Sequence, residues 1–532
     1  MLDPWGDGRY DSDSRHGSPA LMTPPPHASR HAIWAALAVV ALGLAVQLPI
    51  ADRPFGVHEV NPGNFFGVWA RNWERFGLWE SRGLPLGSQL LDQVHQGDPD
   101  TNHPPLYGWL SYWCGTSEAA LRVPTIAGHA LSAGLMVLLL AGALGVGPAT
   151  LAGVTTLAVP ALAFYSQVSF ECVVLPVGLA LWLACLAWCR AAPAARRRWA
   201  ALVAALAFVN VWLDWLAVFL TFGTLPLLWT RPWRTAIARL AVPFGATLLA
   251  GITVFAWRSW ALALPTLTEG TGAPGHHSGE GLGALIERTF LTRPPLGEFI
   301  ALVWAQLQSG YAMPLLVAGA VGLVPLARRA PRVLGAAALS AVVIPLLFAG
   351  HASTHVHFVS YFAPLLAAGL AALVRVHRAL WLVGLTILGV TAWSSAHHIR
   401  AADTTLFREL GATLSRAARD AAGRRSIVFF NIVYRYGYYV DSPDVQIQPL
   451  TDPAPLRLAD QLPPELGLRY LYLKMSGPLL DAIPALAPRP ELEAYLAPFP
   501  RERMPALEMA ITVPPQDLTM RVDEAWLYKL VP

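Results

Sequence analysis

Long runs without a single charged residue interrupt this chain. Ile33–Ile50, Tyr311–Leu326 and Val333–Gly350 are three of them. A helix needs about 20 apolar residues to cross a hydrocarbon core ~30 Å thick, and the runs approach that length. Inside lipid every backbone amide must be satisfied within the protein, so only helices and closed barrels span it. Barrel strands alternate apolar and polar residues, and continuous apolar runs exclude them. The composition agrees: 55% of residues are hydrophobic and 14% charged, where soluble domains carry about 25% charge.

The net charge is only +4, and the basic residues are not spread as a nucleic-acid footprint would be. They cluster in short connections: Arg190 with Arg196, Arg197 and Arg198; Arg231 with Arg234; Arg328, Arg329 and Arg332; Arg375 with Arg378. Placed on the cytoplasmic side, these clusters satisfy the positive-inside rule with alternating parity. The reading is an all-α polytopic membrane protein with about eleven transmembrane helices. The expected spans are His31–Ile50, Leu121–Leu144, Pro148–Phe164, Glu171–Cys189, a hairpin over Trp199–Trp229, Ala238–Trp257, Tyr311–Leu326, Val333–Gly350, Phe358–Val374 and Ala379–Trp393. Each hairpin arm has only ~15 residues, short of a full span, with Asp214 at the tip.

Residues 1–30 are polar and rich in Pro, Ser, Asp and Gly, and read as a disordered cytoplasmic tail rather than a cleaved signal peptide. Residues 31–393 form the membrane domain. The parity puts a large first loop, 51–120, on the outer face, together with Arg258–Gly310, the loop around His351–His357 and residues 394–532. That last segment reads as a soluble, periplasmic α/β domain. It has a helix over Asp403–Ala422 and strands at Ser426–Phe430, Val445–Gln448, Arg469–Lys474 and Ala525–Leu530. The Ala-, Arg- and Trp-rich composition suits a bacterial inner (plasma) membrane. Of the four cysteines, Cys185 and Cys189 read as packed thiols on one helix face. Cys114 and Cys172 both fall outside, where a disulfide is open to them.

The first outer loop carries the chemical signals. His58-Glu59 stands where the chain leaves the first span. Asn64–Phe76 is amphipathic, with Phe65, Phe66, Trp69, Trp73 and Phe76 on one face; it suits a helix in the bilayer interface or one packed on other spans. Asp98-Pro99-Asp100-Thr101-Asn102 leads into His103-Pro104-Pro105-Leu106-Tyr107-Gly108-Trp109. The loop closes on Gly115-Thr116-Ser117-Glu118, followed by Arg122-Val123-Pro124.

In these motifs the chain resembles the glycosyltransferase C superfamily, and most of all its branch of protein O-mannosyltransferases and lipid A aminoarabinose transferases. That branch opens its first outer loop with an acidic pair, continues with an Ala-Arg-Asn-like helix (here Ala70-Arg71-Asn72) and a Pro-Pro-Leu-aromatic motif, and enters the second span through Gly-x-Ser-Glu-x-x-x-Arg-x-Pro. The pair is half matched, because His58 takes the place of its first member. The resemblance spans about residues 31–393. It implies transfer of a sugar from a polyprenyl phosphate to a lipid, glycan or protein acceptor, with inversion at the anomeric carbon. A carboxylate in reach of the attacking hydroxyl removes its proton. The resemblance gives that role to Glu59, with His58 as its substitute. Cationic or donor groups then hold the phosphate charge, and Arg122, Arg258, His351, His355 and His357 are candidates by topology. Asp100, His103 and Glu171 join the binding candidates, as does Asp214, an ionisable residue near membrane depth. The motifs point to no particular cofactor. A divalent metal at the three histidines stays open, though their spacing matches no standard zinc motif. The Gly-rich segment Glu269–Gly283, with His276-His277, reads as a connector or a lid. A catalytically silent relative and a lipid transporter are the competing readings, although a transporter should show internal repeats.

Overall fold

The computed structural model describes residues 30–55, 60–86, 103–163, 171–230, 232–263, 294–347, 349, 356–401, 408–412, 415, 426–430, 445–449, 467–478, 480, 490–504, 509–513 and 518–530. Sixteen α-helices lead the described chain. They are α1 (Arg30–Gln47), α2 (Val60–Phe76), α3 (Leu106–Cys114), α4 (Glu118–Leu144), α5 (Val146–Ala158), α6 (Pro160–Ala163), α7 (Glu171–Arg190) and α8 (Pro193–Leu213). Then come α9 (Ala217–Phe222), α10 (Thr224–Leu228), α11 (Trp233–Leu262), α12 (Leu296–Gly310), α13 (Met313–Arg329) and α14 (Pro331–Leu347). A 3-10 helix (Val356–Phe362), α15 (Ala363–Val374) and α16 (Leu380–Ala401) complete the helical part.

Each expected span is helical, but the lengths differ from the sequence reading. Five helices are by themselves long and apolar enough to cross a membrane: the first, running Arg30–Ile50 with its 3-10 extension, then α4, α7, α11 and α16. The pair α12 and α13 passes the same test together and bends by 109° at its break. The segment Leu296–Gly310, read from sequence as part of an outer loop, is therefore a helix lying across the axis of the next one. Its Leu296, Ile300 and Trp304 are exposed while Phe299 is buried. The first hairpin arm is also longer than expected: α8 has 21 residues because it begins at Pro193 and takes in the three arginines.

Local chemistry sets the ends of the long helices. Ser117 caps α4, its hydroxyl accepting from the Ala120 amide at 3.2 Å, and Glu118 follows in the first turn. At the other end Gly145, at φ +87°, stops the helix. Helix α7 starts with Glu171 and ends with Arg190, charges that match its dipole. Helices α13 and α15 cross so closely that a β-carbon on Gly322 would stand 1.8 Å from the Gly369 carbonyl oxygen. Small residues at such crossings let backbones meet in lipid.

After α16 come β1 (Ser426–Phe430), β2 (Val445–Pro449), β3 (Gly467–Ser476), α17 (Pro490–Leu496), β4 (Arg501–Arg503), β5 (Met509–Val513) and β6 (Leu518–Lys529). The sheet runs β2-β1-β3-β6-β4, and β5 also pairs with β6. β1 is parallel to both neighbours, whereas β6 is antiparallel to β3, β4 and β5. Tyr470 faces Tyr528 and Tyr472 faces Trp526 in the β3–β6 register. Leu492 and Leu496 of α17 close over Tyr470, Tyr472 and Tyr528 in one core. The expected helix over Asp403–Ala422 lies mostly outside the described residues. The Arg408 guanidinium meets Glu118 at the head of α4, 2.7 Å away.

Candidate active site

The Asn64–Phe76 pattern forms α2, and most of its aromatic face is covered by protein. Phe66, Trp69 and Trp73 are buried. Phe66 meets Tyr107 edge-on at 4.4 Å, and Trp73 meets Tyr112 at 5.9 Å. Gly108 is the residue that allows this: a β-carbon there would lie 2.8 Å from the Trp73 ring. The Pro-Pro-Leu-Tyr-Gly-Trp motif thus serves first as a seat for α2. Trp73 donates its indole N–H to Leu84 O (2.8 Å), Asn72 donates to Leu86 O (2.7 Å), and Trp109 donates to Gly83 O (3.1 Å). Trp109 also packs against Trp212 of α8 and Trp257 of α11, 6.0 Å from each. Trp257 in turn donates to Arg82 O at 3.1 Å. These links tie the long loop after α1 to the ends of α8 and α11.

On this platform three of the sequence candidates come together. His103 Nδ1 and Asp214 Oδ2 are 2.8 Å apart. Asp214 ends α8 in an extended conformation, and its Oδ1 accepts from the Leu216 amide at 2.9 Å. This side-chain turn opens α9 and breaks the hairpin. Glu171, at the head of α7, is buried and lies within electrostatic reach of both Asp214 and His103. Tyr361, in the 3-10 helix, is buried within reach of Glu171 and Asp214. Tyr107 stands near Glu171 and Cys172, and burial pushes its phenol well above the ordinary range. The 3-10 helix is held from two sides. Tyr311 donates its hydroxyl to Val359 O, and Ser360 donates to Ala161 O at 3.1 Å.

Arg122 stands apart from this cluster. Arg122 is fully buried, and its guanidinium donates to the carbonyls of Ala51, Arg53 and Pro54, at 2.6 Å for the first, while lying 4.5 Å over the Phe55 ring. It anchors the chain where it leaves α1. Arg258 falls inside α11, which runs on to Leu262, so it is a helical residue beside Trp257 and not the start of a loop. His357 belongs to the 3-10 helix. His58, Glu59, Asp100, His351, His355 and the segment Glu269–Gly283 lie outside the described residues. Among the described residues no three His, Cys, Asp or Glu side chains are arranged to hold a metal ion. All four cysteines are free thiols, so the disulfide left open between Cys114 and Cys172 is absent.

Two residues join the site that sequence reasoning passed over. Tyr361 is one; it lies in the span expected over Phe358–Val374, four residues after His357. The other is Asn210, fully buried on α8 one turn before Asp214, whose amide nitrogen donates to Asn210 O at 3.2 Å. An Asn inside an apolar run was the available signal.

No family model and no curated protein sequence matches the chain. Solved structures do. ArnT from Cupriavidus metallidurans bound to undecaprenyl phosphate superposes with a TM-score of 0.54 at 14% identity, covering 93% of this chain and 98% of that one. Its apo state gives 0.57 at 13% identity with the same coverage. The apo oligosaccharyltransferase of Archaeoglobus fulgidus gives 0.51 at 12% identity, over 78% of this chain and 64% of that one. Mycobacterial arabinofuranosyltransferase AftD gives 0.50 at 17% identity, over 94% of this chain and 41% of that one. With its apolar spanning helices and this likeness, the chain is a multi-pass membrane protein with the glycosyltransferase C fold.

Proposed function

We propose that this protein transfers a sugar from a polyprenyl-phosphate donor to a hydroxyl of a lipid, glycan or protein at the outer face of the inner membrane. The carrying observation is the likeness, over nearly the whole length of both chains, to an ArnT solved with undecaprenyl phosphate. Glu59, at the start of the first outer loop, is the general base, with His58 beside it. The acceptor oxygen forms a bond to the anomeric carbon while the bond from that carbon to the phosphate oxygen breaks. The phosphate leaves with the electron pair, the hydroxyl proton passes to the carboxylate, and the anomeric configuration inverts. The phosphate is already a good leaving group, so donors and cations suffice to hold its charge. Arg258, His351, His355 and His357 are proposed for that role, and Asp100, His103, Glu171 and Asp214 for the sugar and acceptor side. The parity of the arginine clusters supports a cytoplasmic N-terminus and a periplasmic segment 394–532.

The test is transfer from radiolabelled polyprenyl-phosphate sugars in membranes, comparing wild type with Glu59→Gln at matched expression. Transfer that Glu59→Gln abolishes supports the assignment. Transfer that survives the change removes Glu59 as base and moves the role to His58 or Glu171. A wild type that uses no donor favours the reading of a silent relative, which the replacement of the first carboxylate by His58 motivates.

A further inference from the structure

We propose that the turn over residues 77–83 seats in the bilayer interface, where headgroups meet acyl chains, with the Trp79 ring in that layer and Arg82 as the clasp that holds it there. The inference is independent of sugar transfer and of which face of the membrane the turn occupies.

Helix α11 supplies the ruler. It has 30 residues, hence a length of about 45 Å, which reaches from one headgroup layer to the other. Trp233 opens it and Trp260 stands two residues before its end, and both are exposed. Leu249, Ile252, Ala256 and Trp260 follow one another at three- and four-residue steps, and all are exposed. They form one lipid-facing stripe, and Trp260 closes it. Tryptophan at the end of such a stripe marks the interface.

Arg82 ties the turn to that level. Its guanidinium donates to Trp260 O and lies 4.9 Å over the Trp260 ring, while its own carbonyl accepts from Trp257. The turn is closely bonded within itself. Ser81 donates to Gly77 O through both its amide and its hydroxyl, Arg82 N donates to Trp79 O, and Gly83 N to Leu78 O. Trp79 stands on this turn with 84% of its surface exposed. The fold therefore holds out, beside the lipid-facing stripe, a ring that it does not use for packing. An indole, apolar with one polar N–H, is suited to that layer.

The backbone adds a second observation. Among the described residues Arg82 is the only one other than glycine with a positive φ, +51°. Glycine adopts that conformation freely, so an arginine there is strained, and its hold on Trp260 gives the side chain a use. Gly83 O and Leu84 O accept from Trp109 and Trp73. The seat thereby also sets the height of α2 and α3 relative to the bilayer.

The experiment uses the full-length protein in phosphatidylcholine nanodiscs, with Cys114 and Cys189 changed to serine and a nitroxide spin label on Trp79→Cys. Cys172 and Cys185 are buried and stay. Collisions with oxygen, which concentrates in lipid, against those with a water-soluble nickel chelate give the depth of the label. Trp79 is exposed, so its replacement leaves the fold intact. The label should lie about 15 Å from the bilayer centre, at the edge of the ~30 Å hydrocarbon core. Leu248 is exposed on α11, about 18 Å along the helix from Trp260, and a label on Leu248→Cys should read near the centre. Adding Arg82→Gly keeps the turn's backbone and removes the clasp. Nickel collisions at position 79 should then rise severalfold, and those at position 248 should stay low. A label at position 79 that meets nickel as freely as a label in water overturns the proposal, as does a depth equal to that at position 248. A depth that Arg82→Gly leaves unchanged overturns the role given to Arg82.

Discussion

His103 and Asp214, 111 positions apart in sequence, meet at 2.8 Å. The contact joins the Pro-Pro motif of the long loop after α1 to the break that ends α8. Asp214 uses both oxygens, one for the imidazole and one for the Leu216 amide. One carboxylate therefore shapes the helix break and pins the loop above it.

Replacing that carboxylate separates the two duties. Asp214→Asn keeps a carbonyl oxygen for the Leu216 amide and changes the partner of His103; Asp214→Ala removes both acceptors. The side chain of His103 is 40% exposed, so water takes over part of the lost interaction. The expected loss for Asp214→Ala is about 1–3 kcal/mol, and for Asp214→Asn less than half of that. Thermal unfolding in detergent checks the order. Equal stability of the two variants would mean that the Leu216 bond contributes nothing.

Gly108 and Trp73 should behave as one unit. Gly108→Ala pushes a methyl group to 2.8 Å from the Trp73 ring and should cost about 1–3 kcal/mol by overpacking. Trp73→Phe loses the indole bond to Leu84 O, roughly 1 kcal/mol beyond the packing change. In the double variant the smaller ring leaves room for the methyl group. The losses should then fall short of their sum by at least 0.5 kcal/mol or so. Strict additivity would show that the two residues do not press on each other.

The helix crossing at Gly322 and Gly369 offers a contrast within one residue type. Gly322→Ala drives a methyl group into the facing backbone, 1.8 Å from a carbonyl oxygen, and should abolish folding or cost more than about 3 kcal/mol. Gly389→Ala, on α16, meets nothing within 4 Å and should be neutral or stabilising by up to ~1 kcal/mol. Yield of folded protein and melting temperature distinguish them. A tolerated Gly322→Ala would mean that α13 and α15 pack less closely than described.

Much of the helical frame can be read from sequence, because an uncharged run of this kind has few alternatives in lipid. The four strand segments expected after residue 394 also fall in the sheet, although Arg501–Arg503 and Met509–Val513 are too short and too polar or isolated to stand out. Glu171, Asp214 and His103 each carry a local signal: a carboxylate at a span entrance, an acid at a hairpin tip, a histidine in a motif. Their convergence carries none, since it depends on how α7, α8 and the first loop pack. Arg122 shows the limit most plainly. Topology makes it a candidate for anion binding, yet whether a guanidinium meets a ligand or the carbonyls of Ala51, Arg53 and Pro54 is decided by the fold. Similarly, the aromatic face of α2 allowed lipid or protein as its partner, and Tyr107 and Tyr112 decide for protein over much of it.

Arg122→Lys tests the structural duty of that guanidinium. Lysine keeps the charge but not the planar fork that reaches several carbonyls and lies over Phe55. The expected loss is about 1–3 kcal/mol of stability, with undecaprenyl-phosphate affinity unchanged in the folded fraction. Lost lipid affinity at unchanged stability would return Arg122 to the phosphate site.

Cys114 gives a direct test of which face the first loop occupies. It is exposed at the end of α3, whereas Cys172 and Cys185 are buried and Cys189 is half-buried at the opposite end of α7. In a Cys189→Ser background, a membrane-impermeant maleimide added to spheroplasts should label Cys114 without permeabilisation. Labelling only after permeabilisation would reverse the proposed orientation. Partial burial raises the Cys114 thiol above its ordinary value, and the thiolate is the reacting form. Less thiolate is therefore present at neutral pH than on a free cysteine. The labelling rate should be slower than that of a free cysteine near pH 7.5. It should climb roughly tenfold per pH unit while the pH stays below the thiol's own value. A free thiol levels off as the pH passes ~8.5, and Cys114 should still be accelerating there; a plateau at or below that pH would show that the thiol is fully solvated and that the C-terminal turn of α3 is more open than described.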